Sequence, residues 1–504
     1  MTRRVVLAVG LGILVLVIVP PFVGGTPVPE EPVAIGFEPQ FFIDDYLVDN
    51  RWATNFRTEL THHVVHAPKK DERNPLVTGR GGYLNVVWDA EAQKFRMWYQ
   101  VHEYSGEKPQ KVNYAVAYAE SKDGIAWDFP KLGKFDWEGT KENNVVLRGP
   151  RGSSVSSPFL MDLPAEQRRG YRFVLLYTLD DHDPANAGMR LVGSKDGIDW
   201  DIANDRLIAR VYPDVFSSIS WDPRSKEYVC FTRATSRYRQ LTDRRRVFRM
   251  AGKDLWGEWS VRPESPLLPD RGEKWTIPLQ SILIPDAEDA RRGRNDFYGM
   301  ATHYYAGIYW GFLLPYRLDH EVVTELAVSR DGKQFNRFRE RTPLIDLGPK
   351  GAWDAGMVFS APRWVEVGRE WWIYYAASAG PHDDTKAKWG IGLARIRKEG
   401  FVSLSSPKGG GGVVTRSLLW PGGDLVVNAD AKNGELRVRV TDEKRKEIAG
   451  FGAADCTPFA GEAVAHPVAW KVGRMDELKG RVIRLEFLMA GQVDLYTFRA
   501  GDKR

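Results

Sequence analysis

From residue 84 onward the chain alternates short apolar runs with polar turns, and the runs come in pairs. "LNVVWDAEAQKFRMWYQ" (84–100), "PFLMDLPAEQRRGYRFVLLYT" (158–178), "SISWDPRSKEYVCFTR" (218–233), "MATHYYAGIYWGFLLPY" (300–316) and "SAPRWVEVGREWWIYYAA" (360–377) each place two runs of β character around a polar or glycine-containing turn. That is the signature of a hairpin. A third apolar run follows each hairpin and ends in a tight turn. Helix periodicity is scarce throughout, so the pattern predicts an all-β chain.

The tight turn is itself repeated. "SKDGIAWD" (121–128) returns as "SKDGIDWD" (194–201) and, loosened, as "SRDGKQFN" (329–336). Related turns fall near residues 254 and 398. The Asp-Gly step suits a tight strand-to-strand turn. An aromatic residue, Trp127, Trp200, Trp259 or Phe335, follows it at the start of a fourth strand. A hairpin, a third strand, this turn and a fourth strand make one four-stranded sheet. Five such units predict a five-bladed β-propeller over residues 72–405.

The flanks differ from the repeat. "FEPQFFIDDYLVDNRW" (37–52) has strand character and is expected to close the ring within an extension covering 26–71. Glycine-rich "SSPKGGGGVVT" (405–415) reads as a linker. Residues 413–504 show short alternating strands, which predict a C-terminal β-sandwich. At the start, "MTRR" precedes the apolar run "VVLAVGLGILVLVIV" and a helix-breaking "PPFVGGTPVPEEP". Residues 1–25 therefore read as a secretory signal peptide, with a retained membrane anchor as the alternative. The expected location is secreted or periplasmic, or extracytoplasmic on an anchor.

Composition narrows the partners. A formal net charge of +5 over 504 residues does not mark a nucleic-acid binder. The 18 Trp, 19 Tyr and 23 Phe serve sheet packing and also suit stacking on sugars. Cys230 and Cys456 read as two buried thiols, and no zinc spacing occurs. No metal and no nucleotide cofactor is expected. A calcium ion on the propeller axis has no residue-by-residue support.

A propeller brings the starts of its innermost strands to one funnel. Acids at those starts are Asp214 in blade three, Asp296 in blade four and Asp354 in blade five, and Glu325 lies on the third strand of blade four. Blade one offers only Asp71 and Glu72 nearby, and blade two none. Crowded carboxylates separate in pKa, so that one donates a proton while another stays ionised. Glycoside hydrolysis uses such a pair. Each of these acids has a structural reading as well, in a turn or a rim ion pair. Trp353 and Tyr305 are candidate sugar-stacking rings, and Arg294 and His303 candidate polar contacts. The basic runs 237–250 and 291–296 suit acidic sugar groups or a solvated strand face. The histidines, His62, His63, His66, His320 and His382 among them, show no ligand spacing.

The chain resembles the five-bladed propeller glycosidases of glycoside hydrolase families 32, 43, 62 and 68. It is most similar to secreted bacterial proteins of the family 32 N-terminal-like kind. The resemblance rests on "FIDDYLV" (42–48), "FRMWY" (95–99), the "SKDGIxW" turn, "FYGM" (297–300), "SRDG" (329–332) and "GAWDAG" (351–356), and spans residues 37–500. It implies the fold and an oligo- or polysaccharide ligand. It does not carry over the catalytic acids. Where family 32 has a WMNDPNG-like segment this chain has "RNPLVTGRGGY" (73–83), and the Arg-Asp-Pro and Glu-Cys motifs are absent. The expectation is an exported glycoside hydrolase-like protein working through funnel carboxylates. The alternatives are a non-catalytic carbohydrate-binding propeller and a cell-envelope interaction protein.

Overall fold

The computed structural model describes residues 31–49, 61–104, 112–150, 153–181, 186–209, 213, 215–233, 245–257, 259, 280–318, 320–382, 384 and 386–501. Among the described residues the chain is all-β apart from one five-residue α-helix, Ala287–Arg291, and short 3-10 turns.

Five antiparallel sheets form the ring. Blade one pairs Leu84–Asp89, Lys94–Tyr104, Val112–Ser121 and Val145–Arg148 in that order. Blade two is Ser154–Asp162, Phe173–Asp180, Gly188–Ser194 and Arg206–Ala209. Blade three is Ser218–Asp222, Glu227–Arg233, Val247–Gly252 and Gln280–Leu283. Blade four runs from Asp296–Tyr305 through Ile308–Tyr316 and Thr324–Ser329 to the short outer pieces Asn336–Arg337 and Pro343–Ile345. Blade five has Met357–Ser360, Glu370–Ser378 and Trp389–Arg397.

Side chains from adjacent blades interleave, which explains why middle strands read as unbroken apolar runs. Trp98 of blade one meets Phe173 of blade two at 5.4 Å between ring centroids. Phe231 of blade three meets Tyr309 of blade four at 5.5 Å. Phe95 of blade one stacks on Trp372 of blade five at 5.9 Å, so the packing runs round the whole ring. Full burial of one such ring contributes about 2–3 kcal/mol.

The repeated octapeptide is a docking turn between blades. In all three copies the serine hydroxyl accepts from the glycine amide, at 2.8 Å in Ser121–Gly124, 2.8 Å in Ser194–Gly197 and 2.9 Å in Ser329–Gly332. The aspartate Oδ1 accepts from the two amides that follow it by two and three residues. The glycines sit at φ of +73°, +77° and +69°, where a side chain is strained. They also leave room for a ring. A Cβ on Gly197 would stand 2.5 Å from Trp98, and one on Gly124 2.6 Å from the Tyr374 hydroxyl. Those rings answer the close approach with hydrogen bonds: Trp98 Nε1 donates to Gly197 O at 2.6 Å, and Tyr374 to Gly124 O at 2.9 Å. Each of these two turns fastens its blade to the preceding blade. Trp127 and Trp200, which follow these two turns, pack between blades well ahead of the fourth strands, whereas Phe335 stands directly before its fourth strand, Asn336–Arg337.

The ring is closed by a different segment from the one its strand pattern suggests. Lys69–Lys70 and Val77–Thr78 pair with the third strand of blade five and supply its outer edge. Between them the Asn74 side chain both donates to Leu393 O and accepts from Leu393 N, each at 2.8 Å, beside backbone bonds from Asp71 N to Leu393 O and from Leu76 N to Ile391 O. Lys70 Nζ forms an ion pair with buried Asp354 at 2.6 Å. Gln40–Phe41 instead pairs with Thr497–Phe498 of the C-terminal sheet. Its alternation feeds two cores: Phe41 and Ile43 enter the blade four–five packing, and Phe42 enters the C-terminal core. Lys70→Met is expected to lower the unfolding free energy by about 2 kcal/mol, because it leaves the Asp354 carboxylate buried without a cation. Thermal unfolding followed by circular dichroism measures this, and Asp354→Asn in the same background should restore part of the loss. A melting point equal to the parent's would deny the closing strand its latch.

The C-terminal unit is one nine-stranded sheet built on two long antiparallel strands, Leu425–Thr441 and Val482–Ala500. The sequence pattern breaks each of these into two. The strands remain paired through a bend where Gly434 faces Gly491, the latter at φ +74°. Trp420, Phe487 and Phe498 fill the enclosed core. Cys230 and Cys456 are buried free thiols.

Candidate functional site

Strand one of a blade begins at the same rim where strand two ends and strand three begins. Residues from those three places therefore converge. At that rim lies a cavity of about 290 Å³ on the ring axis. Tyr83, Ser156, Ser157, Tyr298 and Met357 reach it from inner strands or the residues leading into them. Gln100 and His102 come from the second strand of blade one, and Tyr114 from its third. His382 and Asp384 come from the loop joining strands two and three of blade five.

Two inner strands are deformed where they meet this funnel. The register of blade two shifts between Ser156 and Phe159, and Ser157 sits at φ +55°. Its amide donates to Gln100 Oε1 at 2.7 Å, which fixes Gln100 at the funnel wall. The register of blade four shifts between Phe297 and Met300, around Tyr298. Bulges re-aim side chains and collect at sites of function, and so does a strained non-glycine residue.

Aromatic rings surround the cavity. Tyr83 lies 4.4 Å from Phe216 and 6.1 Å from Phe359, and Tyr298 lies 5.3 Å from Phe359. His382 Nε2 is 2.9 Å from the Tyr298 hydroxyl. Asp384 Oδ1 accepts from Lys386 N at 3.0 Å, and the residue stays exposed at the rim. Asp384 is the one carboxylate among the described residues that line the funnel. The funnel continues into a groove of about 680 Å³ over blade one, with Gly81, His102 and Trp389 common to both. Phe129, Trp137, Lys131, Glu138 and Glu142 line the groove, and Arg80 lies over the Phe129 ring at 4.6 Å. Desolvation lowers the pKa of His102 against the opposing pull of the Glu138 carboxylate, which favours a neutral imidazole at pH 7.

The acids proposed from the sequence are not brought together in this funnel. Asp354 turns outward to Lys70 and the closing strand. Glu325, on a third strand, is buried against Arg337 at 2.7 Å. Asp296 accepts from the Arg245 amide at 2.6 Å, a backbone tie between blades three and four. Asp214 lies outside the described residues. Trp353 is stacked on Tyr375 at 5.5 Å within blade five. The Tyr305 ring packs against Trp364 and Trp371, with its hydroxyl 3.4 Å from Glu399. Arg294 pairs with Glu321 at 3.0 Å. His303 lies at the opposite mouth of the axis. Among the described residues no cluster of three or more metal-ligating side chains forms a metal site. No helix is long and apolar enough to cross a membrane among them.

No protein-family model matches this chain, and no curated protein matches it. Solved structures do. An N-acetylgalactosamine deacetylase from F. plautii, in complex with blood group B trisaccharide, is 13% identical over 68% of this chain and 97% of its own, with a TM-score of 0.42. A thermostable family-43 glycoside hydrolase is 11% identical over 67% and 96%, also at 0.42. A fructofuranosidase from Schwanniomyces occidentalis, complexed with fructosylnystose, is 10% identical over 87% and 100%, at 0.37. The five-bladed ring itself rests on this chain's own strand pairing.

Proposed function

We propose that the axial funnel and the groove over blade one hold a glycan, and that the protein is an exported glycoside hydrolase-like protein. The observation that carries the reading is the lining. Tyr83, Tyr114, Tyr298 and Trp389 offer apolar ring faces, while Ser156, Gln100, His382 and Asp384 offer hydrogen-bonding groups among them. Sugars present the same alternation of C–H faces and hydroxyl edges. A site of this kind fixes orientation with a few polar groups on an aromatic wall. The groove extends the funnel far enough for more than one sugar ring. Export is proposed from the signal-like segment 1–25 alone.

Hydrolysis needs two carboxyl groups across the scissile bond. Asp384 is our candidate for one, and Asp214 is the sequence's candidate for the other. A second reading, a carbohydrate-binding propeller without turnover, is favoured by the single funnel carboxylate among the described residues. A panel of plant, algal and microbial oligosaccharides tests both. Reducing-end release from at least one glycan, with binding followed by intrinsic tryptophan fluorescence, is the expected result. Binding without release selects the second reading, and no binding by any glycan in the panel sinks both.

A further inference from the structure

The inner strand of blade two is deformed at one point, and the deformation serves blade one. Its pairing is regular from Ser154 to Ser156, which stands opposite Thr178, and resumes at Phe159, opposite Leu176. Between those pairs Ser157 is a non-glycine residue at φ +55°. Such strain persists only where the surroundings hold it, and it gathers at ligand sites. Here it turns the Ser157 N–H across the blade boundary, where it donates to Gln100 Oε1 at 2.7 Å.

Gln100 is held at its other end as well. It lies on the second strand of blade one, and its backbone N–H donates to Tyr83 O at 2.9 Å. Gly82 packs on its stem: a Cβ there would stand 3.0 Å from Gln100 O and 3.3 Å from Gln100 Cβ. With stem and terminal oxygen both fixed, the amide has one orientation. A glutamine amide carries one acceptor oxygen and an NH2 with two donors. A free glutamine turns over and serves as either; this one would then set its NH2 against the Ser157 N–H. Among the described residues Gln100 Nε2 has no hydrogen-bond partner, and it is not a buried atom. Gln100 is half-buried and lines the funnel, so the NH2 opens on that cavity. It is a donor of fixed position on a wall that otherwise offers the Tyr83, Tyr298 and Trp389 rings.

We propose that Gln100 determines which sugar the funnel accepts, by donating from Nε2 to one oxygen of the ring seated there, and that the Ser157 bulge is the device that fixes this donor. The inference rests on the glycan reading of the funnel and goes further, because it requires an acceptor oxygen at one position of that sugar. The oxygen belongs either to a hydroxyl or to an acceptor-only group such as an N-acyl carbonyl or a carboxylate.

Intrinsic tryptophan fluorescence of the full chain, titrated with the tightest-binding oligosaccharide of the panel above, tests it. Gln100→Met should weaken binding by about three- to tenfold, the worth of one hydrogen bond. Gln100→Asn, whose amide is one methylene shorter, should weaken it by a similar factor, and it decides the matter if Gln100→Met does not fold. Analogues of that oligosaccharide lacking one oxygen-bearing group each complete the test. One of them should lose the same factor against the parent and nothing further against Gln100→Met, a coupling that a merely structural role would not produce. Gln100→Glu then identifies the oxygen. A hydroxyl turns to donate to the new carboxylate and keeps its binding, whereas an acceptor-only group is repelled and loses at least as much as with Gln100→Met. Variants that bind as tightly as the parent, or analogues that lose equally against parent and variant, overturn the assignment and leave the glycan reading standing. A parent protein that binds no member of the panel overturns both.

Discussion

Arg337→Met is expected to lower the unfolding free energy by about 3–5 kcal/mol, the largest stability loss anticipated from one substitution in this ring. The Arg337 side chain is only 4% exposed, and it serves two acids. Nε and Nη2 donate to the two oxygens of Glu325 at 2.7 and 2.9 Å. Nη1 and Nη2 donate to Asp289 at 2.6 and 2.8 Å. Both carboxylates are buried, and Asp289 sits in the helix Ala287–Arg291, so the arginine also docks that helix on blade four. Removing the cation strands two charges together. Arg341, 3.7 Å from Glu325, offsets part of this, which places the expectation toward the lower end. Chemical denaturation with an unchanged m-value measures it. Glu325→Gln belongs to the same experiment. It should melt earlier than the parent, while folded protein keeps the turnover that the hydrolase reading proposes. A variant that melts like the parent and loses turnover would put Glu325 back into the chemistry.

The ring was legible because its signal is repeated and local. Each hairpin carries its own alternation, and the Ser-x-Asp-Gly turn needs its serine, aspartate and glycine for hydrogen bonds within four or five residues. Closure was not legible. Lys69–Lys70 and Val77–Thr78 are short pieces on either side of Asn74, whose side chain adds to the pairing with Leu393 in a way that no strand pattern can show. Residues 37–52 have stronger strand character, but Phe42 and Phe41 point into different cores, so the described part, 37–49, runs along the seam between the two units. In the C-terminal unit, Gly434 and Gly491 interrupt the pattern of short alternating strands. In the structure they face each other and let two strands bend without losing their ladder.

The site was harder to read for a geometric reason. Looking only at the starts of inner strands picks out Asp296 and Asp354, but in antiparallel sheets the second-to-third-strand connections share that rim. "SAGPHDDTKAKW" (378–389) of blade five, with His382 and Asp384, is one such connection. Reading the polar loops between strands two and three alongside the inner starts would have found both residues. The bulge at Ser156–Phe159 has no such signal, since its serines look like ordinary strand residues until the register is known. Glu325 misled because an acid in an apolar third strand draws attention, and its buried partner Arg337 lies twelve residues away.

Under the hydrolase reading proposed above, Asp384→Asn is expected to reduce glycan hydrolysis by about 10²- to 10⁴-fold, the range for loss of a positioned general acid or base. Affinity for the same glycan should change much less. Asparagine keeps an oxygen for the Lys386 amide, so the loop is held, but its amide cannot carry the proton. The surroundings support a working carboxylate more than a structural one. Asp384 is exposed at the funnel rim and lies two residues from His382, which is bonded to Tyr298 across the same cavity. Asp354 and Glu325, in contrast, are each closed off by a cation. The comparison is therefore made on kcat at saturating glycan, with melting temperature as the check on folding. A loss confined to KM would mean that Asp384 only holds the sugar. Turnover undiminished by Asp384→Asn would exclude its carboxylate from proton transfer and move the search for both acids to the inner-strand entry that carries Asp214.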